Sequence, residues 1–149
     1  MLMDTRHILA GAWSGVIGGG AFGAMMGMMG MLPMVAMLVG SESVFVGVFV
    51  HGIISAITGA AFGLVFGHLA LNKTWGIALG LLYGFIWWFL GPLIIMPVWL
   101  GMGLQLSAAG MSAAIPSLWG HLVWGFILGL VFSLTATRPQ SEINNSSNV

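Results

Sequence analysis

Four long apolar stretches, separated by short segments that contain polar residues or prolines, dominate the pattern of hydrophobic and polar positions. After a polar lead that ends at His7, no charged residue occurs until Glu42. The hydrocarbon core of a bilayer is about 30 Å thick, and a helix of about 20 residues crosses it. The pattern therefore predicts an all-α, polytopic membrane protein with four transmembrane helices, at residues 8–30, 44–71, 75–90 and 116–134.

Prolines mark the connections on one side of the predicted membrane. Pro33 follows the first predicted helix, and Pro92 follows the third. Proline lacks an N–H group and restricts the residue before it, so we expect Pro-broken outer loops at both places. Pro116 instead suits the first turn of the fourth helix, where the missing N–H is harmless. Residues 1–134 thus form a single predicted four-span domain, followed by a polar, disordered cytoplasmic tail at 135–149.

Composition supports the membrane assignment and excludes several classes of protein. The chain has 149 residues, of which 59% are hydrophobic and 4% charged, whereas a soluble domain carries roughly 25% charged residues. The net charge is zero, so no basic patch exists for nucleic acid. The absence of cysteine excludes disulfides, thiolate catalysis and iron–sulfur clusters. No predicted span contains a carboxylate for acid–base chemistry, and we expect no enzyme.

The few basic residues predict the orientation of the chain. With four spans, both termini and the turn at 72–74 lie on the same side of the membrane. Arg6, Lys73 and Arg138 are the three Lys or Arg residues, and all fall on that side. The positive-inside rule makes that side cytoplasmic. We therefore predict a multi-pass protein of the cell (inner) membrane with cytoplasmic N- and C-termini.

Glycine spacing predicts an internal duplication. A shift of 61 residues places the glycines of the first span on those of the third, and a shift of 66 places glycines of the second span on the fourth. Each unit would then be a span, a broken outer loop and a second span, which gives two parallel two-helix repeats. The glycines concerned are Gly15, Gly19, Gly23, Gly59, Gly63, Gly76, Gly80, Gly84, Gly125 and Gly129.

The four-residue spacing of these glycines places them on one face of each helix. Helices in lipid associate through close backbone contact, so the glycine faces are expected to pack against one another. A glycine-lined pore is the less favoured alternative.

Two histidines are the sharpest candidates for chemistry. His51 and His121 lie within predicted spans, near the outer end, and an ionisable residue inside a span is a functional hypothesis by default. Two neutral imidazoles on facing helices can hold a haem iron, a chlorophyll-type magnesium or Cu(I). The plainer interpretation is that each histidine hydrogen-bonds to a carbonyl or a serine.

Methionine, with 12 residues, is the second candidate. Thioethers suit Cu(I), and Met25 and Met29 share a helix face, with Met34 close behind in sequence. Methionine is equally a flexible apolar filler beside glycine-rich surfaces, which is the preferred interpretation.

Several short motifs together resemble a known family. They are Met28-Met29-Gly30 with Pro33, His51-Gly-x-x-Ser55, Met96-Pro97-x-x-Leu100-Gly101-Met102-Gly103 and Gly120-His121-Leu-Val-x-Gly125. The chain is similar to a family of small bacterial and archaeal four-span membrane proteins, filed as a domain of unknown function. The resemblance implies the four-span fold and draws attention to both histidines, but it implies no activity.

The sequence therefore favours a non-enzymatic membrane component, either an accessory subunit or a self-associating protein packed through glycine faces. Its partners would be the lipid bilayer and, in a homo-oligomer or a larger membrane complex, other membrane helices. No cofactor is expected on this hypothesis. The alternative is a haem- or copper-handling protein that uses His51 and His121, and the third hypothesis is a small-solute transporter or channel.

Overall fold

The described part of the chain is helical. The computed structural model describes residues 5–136, and within them there is no strand. The predicted tail, from residue 137 onward, lies outside the described residues. Four helices are long and apolar enough to cross a membrane, which is compatible with a four-span bundle.

Seven α-helices follow in chain order, together with one 3₁₀ and one π segment. They are α1 (Thr5–Met28), α2 (Leu32–Ala36), the 3₁₀ turn Met37–Val39, α3 (Val44–Phe66), α4 (Lys73–Leu90), the π turn Gly91–Ile95, α5 (Met96–Trp99), α6 (Ala108–Ala113) and α7 (Ile115–Thr135).

The third membrane-length helix continues past its expected end. We expected a break at Pro92, but residues Lys73–Trp99 are helical without interruption. Because Pro92 has no N–H to donate, the hydrogen-bond ladder widens to the π pattern, in which the Met96 amide donates to the Gly91 carbonyl. The hydrogen bond in this turn thus spans one residue more than in an α-helix, and the helix continues to Trp99.

The inner turn between α3 and α4 is longer than the sequence predicted. Helix α3 ends at Phe66 instead of Leu71. Asn72 then begins α4 as its N-cap, since its extended backbone lets Oδ1 accept a hydrogen bond from the Trp75 amide at 2.9 Å.

Glycines bring the long helices together in two pairs, α1 with α3 and α4 with α7. In the first pair, a methyl group added at Gly15 would overlap the Ser55 carbonyl oxygen and the Gly59 backbone. In the second pair, a methyl group at Gly80 would overlap the Gly125 carbonyl oxygen. Backbones can approach this closely only where side chains are absent.

The two pairs differ in register. Gly15 contacts Gly59, whereas Gly76, its counterpart under the 61-residue shift, contacts Gly129. The counterpart of Gly59 under the 66-residue shift is Gly125, and Gly125 meets Gly80 and Gly84. In the second pair, the contact equivalent to that of Gly15 with Gly59 is therefore the contact of Gly84 with Gly125. The sequence alignment places Gly76 opposite Gly125 instead, about two helical turns away along α4.

One side of the bundle is closed by direct helix contact between α1 and α7. Gly18 lies against Trp124, and the Trp124 indole Nε1 donates a hydrogen bond to the Gly15 carbonyl at 3.1 Å. Gly120 lies against the ring of Phe22. This contact joins the two glycine-packed pairs.

On the opposite side, side chains fill the space between α3 and α4, and α2 packs against α3. The Tyr83 hydroxyl of α4 donates to the Thr58 carbonyl of α3 at 2.8 Å. Further out, Leu32 and Val35 of α2 are buried in the core, and the Leu32 backbone lies against Gly47 of α3. The first outer connection therefore belongs to the apolar core, which explains why it carries so few polar residues.

The glycine contacts predict opposite effects of alanine at two positions of α1. Gly15→Ala should destabilise the fold by about 1–3 kcal/mol, because the added methyl group overpacks the contact with α3. Gly20→Ala is the matched control, since nothing lies within 4 Å of its added methyl group and alanine is the better helix former. Reversible unfolding in mixed micelles measures both; equal effects would contradict the packing.

Candidate functional site

His51 lies across the outer half of the α1–α3 contact. Its Nε2 is 3.0 Å from the Gly19 carbonyl oxygen. A carbonyl only accepts, so Nε2 carries the proton and Nδ1 holds the lone pair. A methyl group at Gly23 would come within 3.3 Å of His51 Cδ2. The glycine face of α1 thus contacts the α3 backbone at Gly15 and the His51 imidazole at Gly23.

His121 is held by its own helix. Its Nδ1 lies 2.8 Å from the Ser117 carbonyl oxygen and 3.2 Å from Ser117 Oγ. By the same argument Nδ1 is protonated and Nε2 holds the lone pair. Nε2 lies near Gly91, where the π turn begins: a methyl group added at Gly91 would come within 3.8 Å of it. The two histidines therefore have opposite tautomers.

Phe22 contacts both imidazoles. Its ring centroid is 5.3 Å from that of His51 and 4.7 Å from that of His121, and both contacts are edge-to-face. Phe22 itself is buried, with its ring against Gly120. A flat cofactor between the two imidazoles would have to displace this ring. The haem or copper alternative stays a prediction. No spacing or motif in the sequence pointed to Phe22 as a neighbour of both histidines.

The copper hypothesis for the three candidate methionines stays a prediction, and the three side chains differ in exposure. Met29 and Met34 are exposed on the apolar exterior, and Met25 is half-buried. The methionine in the core is Met26, one helical turn beyond Phe22. Residues 5–136 also contain no group of three His, Cys, Asp or Glu side chains that would hold a metal ion.

Most interior polar side chains are satisfied by backbone carbonyls of the bundle. Ser14 bonds to Ala10, Thr58 to Ile54, Trp88 to Ala114 and Ser133 to Leu130, at distances between 2.7 and 2.9 Å. The exception within the described residues is Trp87, whose buried Nε1 has no acceptor. Its indole packs nearly perpendicular to Tyr83, with 6.1 Å between ring centroids.

A second pair of histidines lies at the other end of the bundle. The ring of His7, near the start of α1, is 4.9 Å from the ring of His68, in the turn after α3. His7 is buried and His68 is exposed. Their contact depends on the α1–α3 register, which the spacing of residues along the chain does not specify.

Comparisons with protein-family models, curated proteins and solved structures found no match to this chain. The resemblance to the small four-span family therefore stays a prediction.

The hydrogen bonds predict the tautomer of each outer histidine. At a pH where imidazole is neutral, His51 should carry its proton on Nε2 and His121 on Nδ1, because each of these atoms faces a carbonyl oxygen. Solid-state ¹⁵N NMR of ring-labelled protein in bilayers distinguishes the two forms. His51→Ala and His121→Ala variants assign the signals. A shared tautomer would contradict the geometry.

Proposed function

We propose that the chain is a non-enzymatic integral component of the cell membrane that works in association with itself or with a larger membrane complex. The observation that carries the proposal is that the interior polar side chains form hydrogen bonds within the bundle itself. Interior hydroxyls and indole N–H groups bond to the backbone of the same bundle, so they serve its fold and are not directed at a substrate. Such bonds contribute roughly 0.6 kcal/mol each in membrane proteins.

The exterior is the surface available for association. The packing glycines contact backbone within the chain, so they hold one copy together. The outward faces instead carry large apolar side chains, among them Phe45 and Phe49 of α3, which are 87% and 71% exposed. On this proposal the glycine faces fix the shape of the subunit, and the aromatic exterior meets lipid or another membrane helix.

A cytoplasmic position for both termini is part of the proposal. Arg6 and Lys73 begin α1 and α4 at one end of the bundle, and Glu42 precedes α3 at the other end. The positive-inside rule then places the first end in the cytoplasm.

A duplicated origin is the second structural part of the proposal. Each half pairs its two long helices through glycine, and Gly40 and Gly101, equivalent under the 61-residue shift, share a φ of +74° after their short outer helices. On this proposal, the difference in register and the contact of α1 with α7 arose as the two halves diverged. The proline-containing connections of the two halves would then share an origin and differ in structure: the first forms the short helix α2, and the second forms the π turn.

Association is testable on protein extracted from native membranes with styrene–maleic acid copolymer. We expect a particle of fixed stoichiometry that is larger than the 15.7 kDa monomer. At least one small substitution on the α3 exterior, such as Phe49→Ala, should dissociate it without changing the unfolding midpoint. Native mass spectrometry measures the particle. A dispersed monomer in every preparation, or solute flux through the purified protein in liposomes, would contradict the proposal.

Orientation has its own test, because the chain has no cysteine. A membrane-impermeant maleimide added to intact cells should leave Lys73→Cys unlabelled and should label Glu42→Cys. Both positions are exposed and lie outside the long apolar stretches. Permeabilised cells provide the control, since both variants should then react. The reverse pattern in intact cells would overturn the orientation.

A further inference from the structure

The histidine pair at the α1 N-terminal end is built from two separate parts of the fold. His7 belongs to the first turns of α1, and His68 belongs to the turn between α3 and α4. Gly63 and Gly67 leave the space that His7 occupies: a methyl group at Gly67 would come within 2.7 Å of His7 Nδ1. Phe132 of α7 packs against the His7 ring with 5.9 Å between centroids. His7 is therefore fixed in place, and the exposed His68 can adjust to it.

The spacing of the two rings is that of imidazoles bound to one metal ion. A metal–nitrogen bond is about 2.0–2.1 Å long, and the ring centroid lies roughly 1.1 Å behind the nitrogen. Two such ligands at an angle of about 90–109° have centroids about 4.5–5.2 Å apart. The observed centroid distance is 4.9 Å, with 79° between the ring planes. The distance between the two rings therefore suits two ligands of one metal ion.

The surrounding charges restrict which ion can bind. Arg6 precedes His7, and Lys73 follows the turn that carries His68. Within residues 5–136 no Asp or Glu joins the two histidines in a metal-binding group. Calcium and magnesium, which require several oxygen ligands, are therefore poor candidates. Imidazole suits Cu²⁺, Ni²⁺ and Zn²⁺, and Cu²⁺ heads the affinity order.

We propose that His7 and His68 form a binding site for a divalent transition-metal ion, with Cu²⁺ bound most tightly and water filling the remaining coordination positions. The bound ion ties the start of α1 to the α3–α4 turn. Because the ion binds the folded chain at residues 61 positions apart in sequence, it should raise the unfolding temperature in a concentration-dependent way. This site is separate from the outer histidines and does not depend on the proposed association.

Electron paramagnetic resonance of Cu²⁺ added to the untagged, full-length protein in detergent tests the proposal. The superhyperfine pattern should indicate two imidazole nitrogens. His68→Ala should leave at most one, lower the affinity at least about tenfold and abolish the rise in unfolding temperature. His68 is exposed, so the metal-free variant should fold as the parent does.

Leu69→Ala is the matched control, because it changes an exposed neighbour of His68 in the same turn and should bind Cu²⁺ like the parent protein. A parent spectrum with fewer than two imidazole nitrogens would overturn the proposal. So would a His68→Ala variant that binds as tightly as the parent, since the ion would then lie elsewhere on the chain.

Discussion

Contact between glycine backbones positions every other part of this bundle. Helices surrounded by lipid gain little by burying apolar side chains, so they associate through van der Waals contact and hydrogen bonds. Each glycine costs about 1 kcal/mol relative to alanine in a helix. The approach of α1 to α3 at Gly15 and Gly59, and of α4 to α7 at Gly80 and Gly125, offsets that cost. The same register places His51 over Gly23 and His7 against Gly63, so both histidine clusters depend on it.

The bundle is asymmetric although its two halves are built alike. Helices α1 and α7 meet through Gly18, Gly120 and the Trp124 indole. Helices α3 and α4 do not approach in this way, and the Tyr83 side chain of α4 bridges them to the Thr58 carbonyl. The outer connections are further joined by the Trp99 indole, which donates to the Leu38 carbonyl at 3.1 Å.

Hydrophobic periodicity and length are enough to predict the four long helices, because a span must satisfy its own backbone hydrogen bonds. Rules based on local sequence are not enough to predict where a helix ends at a proline or which residues meet between helices. Pro92 was expected to end a helix, yet the ladder widens to a π turn and continues to Trp99. The contact of His7 with His68 and the position of Phe22 against both outer imidazoles depend on helix register. The residue shifts that align the two halves of the sequence do not predict that register, because they place Gly76 opposite Gly125, whereas Gly76 contacts Gly129.

Proton NMR of the glycine methylene groups tests the central claim most directly, namely that glycine backbones meet within one chain. In bilayers or micelles, a nuclear Overhauser cross-peak should join the α-protons of Gly15 and Gly59, and another those of Gly84 and Gly125. Both cross-peaks should persist at full intensity when the labelled protein is diluted with unlabelled chains. Their absence, or their loss on dilution, would contradict the account, because the glycine faces would then be open or would pair between copies.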